Sequence, residues 1–184
     1  MIARLFCPTS TAPSLPEVDV DDLRSKGIEF LILDLDNTIV AWQRSNVSDE
    51  VIRWVRDARE SGMKLCVASN TRNPRRLSEI AGMLGIPFVC RAAKPRRKAF
   101  RTAMDSMGAE PERTAVIGDQ IFTDVVGGNR AGLHTILVTP IHRREFIGTK
   151  VSRLFESLVL YWLRRRGLLG TKRGASQSEM KERA

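Results

Sequence analysis

Asp34 and Asp36 stand two residues apart in Asp34-Leu-Asp-Asn-Thr38, directly after a short apolar run. In extended backbone, residues two apart point the same way, so both carboxylates can face one substrate. One carboxylate can attack phosphorus while its neighbour moves protons, a division of labour that needs two groups in fixed register. Two adjacent anions need a counter-charge. The stretch Gly118-Asp-Gln-Ile-Phe-Thr-Asp124 brings a third and a fourth carboxylate, Asp119 and Asp124. The result is an oxygen-rich set suited to Mg²⁺. Ser69 and Lys94 supply a donor and positive charge for the oxygens of a phosphoryl group. Phosphoryl transfer is the chemistry these residue types fit.

Such residues act together only if the chain gathers them, and the apolar pattern says how. Residues 28–33 form a nearly continuous apolar run with the character of a buried strand. Ser48 can cap a helix in which Val51, Ile52, Val55 and Ala58 share a face, with Gly62 just past its end. Residues 65–68 read as a second strand. Pro74 opens a helix with Leu77, Ile80, Ala81 and Leu84 inward and Gly85 closing it. A short strand near 88–90 follows, then a helix after Pro95 carrying Phe100, Ala103, Met104 and Met107. Residues 114–117 and 135–138 are two more strands, joined by a segment with Val125, Val126 and Ala131.

This alternation predicts an α/β fold, a Rossmann-like three-layer sandwich with a central parallel sheet. In such sheets the site lies beyond the carboxyl ends of the strands. Asp34 and Asp36 follow the first strand, Ser69 and Asn70 the second, Lys94 the third and Asp119 the fourth. Singly, each has an ordinary structural use. An Asp after a strand is a helix cap or turn residue, Ser-Asn is turn chemistry, and a Lys before Pro is a loop residue. Four complementary groups at four strand ends are harder to obtain that way. Asn37 and Thr38 are expected to shape the loop. Trp42, Trp54, His134 and His142 are expected to be structural or peripheral.

Length and charge narrow the class further. A chain of 184 residues, 42% hydrophobic and 28% charged, suits one soluble globular domain. Cys7, Cys66 and Cys90 lack metal-type spacing, which fits free thiols in a reducing cytoplasm. No signal peptide is recognisable, and the longest apolar run near the C-terminus, residues 158–163, is too short to span a membrane. The net charge of +9 is unevenly spread. Residues 72–101 hold nine Lys/Arg against one acid, and residues 142–184 hold eleven against four. The remainder is net negative. Concentrated basic charge points to an anionic partner.

The four pieces Asp34-Leu-Asp-Asn-Thr38, Ala68-Ser-Asn70, Lys94-Pro95 and 118–124 resemble motifs I to IV of the haloacid dehalogenase superfamily. Residues 34–42, 91–98 and 117–140 are similar to one branch, the YqeG-like subfamily IIIA phosphatases. Relatives of that branch include mitochondrial phosphatidylglycerophosphate phosphatase. The likeness extends over roughly residues 6–165. It implies that Asp34 is the nucleophile that becomes an aspartyl phosphate and that Asp36 is its acid–base partner. Lys94 would be catalytic and would also bind phosphate together with Ser69 and Asn70. Asp34, Asp36 through its carbonyl, and Asp119 would bind Mg²⁺, with Asp124 in support. Thr71, where relatives often carry Asn, and Ala93, where a basic residue is frequent, depart from the pattern outside the catalytic set.

Asp34 to Ser69 is 35 residues and Ser69 to Lys94 is 25, each the length of one strand–helix–strand connection. Neither has room for an inserted cap domain, so a capless, open site suited to a bulky substrate is expected. From Val151, Leu154, Phe155, Leu158, Val159 and Trp162 fall on one helical face, flanked by Arg153 and Arg164-Arg165-Arg166. A helix of this kind can lie on an anionic membrane; the alternative is a final helix packed on the sheet. The expectation is therefore one domain over residues 1–170, a basic tail over 171–184, and a cytoplasmic phosphatase at the inner membrane face. Its expected substrate is the phosphorylated lipid phosphatidylglycerophosphate, with no nucleic acid as partner and oligomeric state left open. Phosphatases of soluble sugar or nucleotide phosphates or of nucleic-acid ends, and a non-catalytic RNA- or ribosome-binding module, are the alternatives.

Overall fold

The computed structural model describes residues 2–142. The C-terminal helix and tail expected from the sequence lie outside the described residues. Six strands form one parallel sheet: β1 Ser10–Ala12, β2 Phe30–Leu33, β3 Lys64–Ala68, β4 Phe88–Val89, β5 Thr114–Gly118 and β6 His134–Val138, in the order β1-β6-β5-β2-β3-β4. The chain runs outward from β2 through β3 to β4, then returns to the other side of β2 for β5. The crevice between β2 and β5 is thus the point where strand order reverses.

Each central strand is buried on both faces, which is why its sequence reads as a continuous apolar run. Leu31, Leu33, Leu65, Val67, Ala115 and Ile117 pack on one side with residues of α1 Val20–Ser25, α2 Asp49–Glu60 and α3 Pro74–Leu84. Phe30, Ile32, Cys66, Ala68 and Val116 face the other side, against Phe100, Ala103 and Met104 of α4 Arg97–Met107. The helix signals hold at atomic level. The Ser48 hydroxyl accepts from Val51 N–H, and Gly85 closes α3 in the left-handed conformation. Trp54 is structural, its indole N–H donated to the Val18 carbonyl at 2.9 Å.

Four features were not visible in the pattern. β1 is only Ser-Thr-Ala, without apolar periodicity, and Thr9 N–H joins it to β6 through the Thr135 carbonyl at 2.8 Å. Helix α1 is polar apart from Val20 and the buried Leu23, and it is set by its Asp19 cap. β2 begins at Phe30 rather than at residue 28, because Ile28 N–H turns back to the Leu23 carbonyl at the end of α1. After β5 the chain makes one π-helical turn, Ile121–Val125, before α5 Val126–Ala131.

Helix α5 lies close on the sheet because Gly128 has no side chain. A Cβ there would come within 2.5 Å of Val116 Cγ1 and 2.7 Å of Thr135 Cγ2. Gly82, inside α3, has open space around it. Thermal or urea unfolding should therefore separate the two. Gly128→Ala is expected to lose about 1–3 kcal/mol through overpacking, whereas Gly82→Ala gains about 0.4–1 kcal/mol.

Candidate active site

The β2–β5 ladder continues one step past the strand, with Asp34 N–H donated to the Ile117 carbonyl at 2.9 Å. Alternation along β2 puts Asp34 on the same face as Phe30 and Ile32. There its Oδ1 meets the Lys94 ammonium at 2.5 Å, and Lys94 in turn reaches Asp124 Oδ1 at 2.7 Å. All three side chains are buried. Asp124 comes from the π-helical turn, with its Oδ2 accepting Gln120 N–H. Gly118 makes room for it: a Cβ at that position would lie 2.3 Å from Asp124 Cγ.

Lys94 is aimed by its neighbours. The Asn70 side-chain amide donates to the Lys94 carbonyl at 3.0 Å, and its oxygen accepts the Lys94 N–H at 2.8 Å. Ser69 joins the same loop through its carbonyl, which accepts Ala92 N–H, while its buried hydroxyl accepts Thr71 N–H. Asn37 holds the loop after β2 at a φ of 65°, a conformation Asn tolerates, and accepts Trp42 N–H.

Carboxylate oxygens of Asp34, Asp119 and Asp124 lie within 4.8 Å of one another. Burial pushes the Asp34 carboxyl up to about 7; Lys94 pulls it down, while Asp124 and Asp36 push it up. Burial alone would lower the Lys94 ammonium, but Asp124 and Asp34 outweigh it and hold it raised. The leading causes differ: burial raises Asp34, while the flanking carboxylates raise Lys94 against its burial. A single ammonium set against several carboxylates in a dry site leaves negative charge in excess. Asp34 Oδ2 is buried with no hydrogen-bond partner among the described residues. A divalent cation would complete both the charge and the coordination, so the residues present fit one. The family resemblance implies that Asp36 would meet the cation through its carbonyl; its carboxylate stands outside this oxygen group.

Asp36 has a different setting. Its Oδ1 accepts from Gln43 N–H at 3.2 Å and from Arg76 Nη2 at 2.8 Å. Asp34, Asp36, Ser69, Asn70 and Lys94 line one open cleft of about 820 Å³, together with Trp42, Gln43, Arg72, Arg76 and Gln120. The strand ends thus gather the expected residues. Sequence reasoning missed Arg76, which looked like one more cation of the basic segment, and placed Trp42 away from the site it lines. Nothing in the local sequence distinguishes Arg76 from Arg75. Arg76 is buried because the loop after β2 folds over it.

The sequence profile of the HAD-hydrolase-like family matches residues 91–149. The chain is 38% identical over 167 residues to the probable phosphatase YqeG of Bacillus subtilis, spanning 91% of this chain and 96% of that one. It is 29% identical to phosphatidylglycerophosphate phosphatase 1 of Arabidopsis thaliana, over 82% of this chain but about half (49%) of the relative. Among solved structures, a putative subfamily IIIA hydrolase from Legionella pneumophila superimposes with a TM-score of 0.50 at 16% identity, over 81% of this chain and 90% of that one. The cobalt-bound deoxy-D-mannose-octulosonate 8-phosphate phosphatase of Haemophilus influenzae gives 0.51 at 18%, over 79% and 95%. The likenesses to these two solved structures are of fold alone.

A divalent cation that binds the folded state alone must stabilise it. At a cation concentration about 100 times Kd the gain is about 2.7 kcal/mol. Titrating Mg²⁺ or Mn²⁺ into EDTA-treated protein should raise Tm progressively, and Asp119→Ala should abolish the rise without preventing folding.

Proposed function

Because the chain belongs to the YqeG-like branch of haloacid dehalogenase subfamily IIIA and is a phosphatase of that superfamily, we propose that it is a Mg²⁺-dependent hydrolase of phosphatidylglycerophosphate working at an anionic membrane surface. The observation that carries the chemistry is the buried Asp34–Lys94–Asp124 cluster with Asp36 beside it in an open cleft. An Asp34 carboxylate oxygen attacks phosphorus, forming the acyl phosphate as the ester P–O bond breaks. Asp36 gives its proton to the departing oxygen. Asp36 then takes a proton from water as that water attacks phosphorus, releasing phosphate and restoring the Asp34 carboxylate. Lys94 holds Asp34 in place and, with the Ser69 hydroxyl, offers donors to the phosphoryl oxygens. Bound Mg²⁺, held by Asp34, the Asp36 carbonyl and Asp119 with Asp124 in support, would offset the charge of the phosphoryl group.

The lipid reading rests on the likeness to phosphatidylglycerophosphate phosphatase, on access and on charge. The described connections between strands hold no second domain, so the cleft is open to a bulky headgroup. Helices α1 and α2 follow the dipole rule, with Asp21 and Asp22 and then Asp49 and Glu50 in their first turns. Helices α3 and α4 break it. Neither has an acid in its first turn, and Arg72, Arg75, Arg96, Arg97 and Lys98 stand exposed at their N-terminal ends. Cations there are disfavoured by about 0.3–1 kcal/mol each, so helix stability does not account for them. An anionic surface facing the carboxyl edge of the sheet does. The exposed Ile141 stands on that edge, its N–H donated to the Asn37 carbonyl.

Two outcomes follow from the chemistry. Asp34→Asn should fold normally and lose all turnover, because the amide cannot form the acyl phosphate. Asp36→Asn should fall by about 10²–10⁴-fold in kcat; wild-type rates in either variant contradict the assignment.

The surface is tested separately. Replacing Arg96, Arg97 and Lys98 by Gln removes about 1 kcal/mol of attraction per charge, so binding to anionic vesicles should weaken by about two orders of magnitude. Hydrolysis of vesicle-borne phosphatidylglycerophosphate should slow with it, while p-nitrophenyl phosphate hydrolysis stays unchanged. Salt near 0.1 M, which screens beyond about 10 Å, should mimic the variant. Equal sedimentation with vesicles at low salt, or a preference for nucleotide or sugar phosphates in a substrate panel, would reject the lipid reading.

A further inference from the structure

Arg76 is the third residue of α3, 8% exposed, in a segment whose other arginines are exposed except at this position. Its guanidinium is used on two partners at once. Nε and Nη2 both donate to the Arg44 carbonyl, at 2.8 and 2.5 Å, and Nη2 also donates to Asp36 Oδ1 at 2.8 Å. The Arg44 carbonyl lies eight residues beyond Asp36 in the same loop. Gln43 N–H, from that loop, bonds the same Asp36 oxygen. Arg76 therefore grips both ends of the loop after β2, and the carboxylate of Asp36 is fixed by one oxygen. The other oxygen, Oδ2, makes no hydrogen bond within the described residues and belongs to a side chain that is 21% exposed on the cleft.

We propose that Arg76 is the positioning residue of the reaction: it holds Asp36 Oδ1 so that Oδ2 meets the leaving oxygen and, later, the attacking water. The proposal rests on the reading of Asp36 as the acid–base group. A planar fork suits the task, because it bonds a carbonyl and a carboxylate from one rigid group. A freely rotating carboxylate would spend most of its time out of line, and misplacement of a proton donor by about 1 Å can cost on the order of a hundredfold. Proton donation matters in proportion to the basicity of the leaving oxygen. Arg76 should therefore matter most for poor leaving groups.

The test uses the Mg²⁺-loaded enzyme and three esters of similar size, p-nitrophenyl, phenyl and benzyl phosphate, whose leaving groups are increasingly basic. kcat/KM reports steps through phosphoenzyme formation. In Arg76→Met it should fall by about 10- to 100-fold for benzyl phosphate and by less than about threefold for p-nitrophenyl phosphate. Water activation is slowed with every ester, so p-nitrophenolate should appear in a burst equal to the active sites. In an Asp36→Asn background the further loss from Arg76→Met should be less than about threefold, since the group it positions is gone. Arg76→Lys keeps the charge without the fork and supplies the same comparison if Arg76→Met does not fold. An equal loss on all three esters, or losses that multiply in the double variant, would overturn the proposal and leave Arg76 a structural staple. If Asp36→Asn itself shows no dependence on the leaving group, the acid–base reading of Asp36 fails and this proposal with it.

Discussion

One buried ammonium shared by two carboxylates is the constraint on which the site depends. Lys94, Asp34 and Asp124 come from three separate segments and sit where water cannot screen them. Breaking such a cluster on one side leaves an uncompensated buried charge, which costs about 3–5 kcal/mol. The surrounding sequence is arranged to keep it whole. The sheet order puts β2 between β3 and β5, so their carboxyl ends converge. Asn70 fixes the Lys94 backbone from both sides, and Gly118 leaves the space that the Asp124 carboxylate fills. The cluster still carries excess negative charge, and that excess, with an Asp34 Oδ2 that has no hydrogen-bond partner among the described residues, suits the site to a divalent cation.

The two aspartates of the first motif differ by burial. Asp34 is dry and held by Lys94, while Asp36 is partly exposed on the cleft and held by Arg76. A nucleophile benefits from a fixed, water-excluded position, and a group that exchanges protons with leaving oxygen and water needs access to both. Strand periodicity alone would give both residues the same face. The loop that turns at Asn37 separates their surroundings.

Much of this was legible because the signals were periodic or chemical. Apolar runs located β2, β3, β5 and β6, and Ser48, Pro74 and Gly85 marked helix ends where they are found. The motif residues met at the strand ends because a parallel sheet leaves them nowhere else to go. What escaped depends on tertiary contact. β1 is a strand only because β6 offers it an edge, and Ser-Thr-Ala has no pattern of its own. Arg76 differs from Arg75 by the loop packed over it, and Asn70 reads as turn chemistry until its amide is seen on Lys94. Each is fixed by a partner distant in sequence, which local reasoning does not reach.

The most direct measurement is chemical identification of the intermediate. Enzyme turning over p-nitrophenyl phosphate is quenched, reduced with borohydride and mapped by peptide mass spectrometry, because an acyl phosphate, unlike a free carboxylate, is reduced to the alcohol. Homoserine in place of Asp34, dependent on substrate and on divalent cation, is the expected result. Reduction at any other residue, or an unmodified Asp34 in a quenched sample that retains bound phosphoryl group, would contradict covalent catalysis at the end of β2.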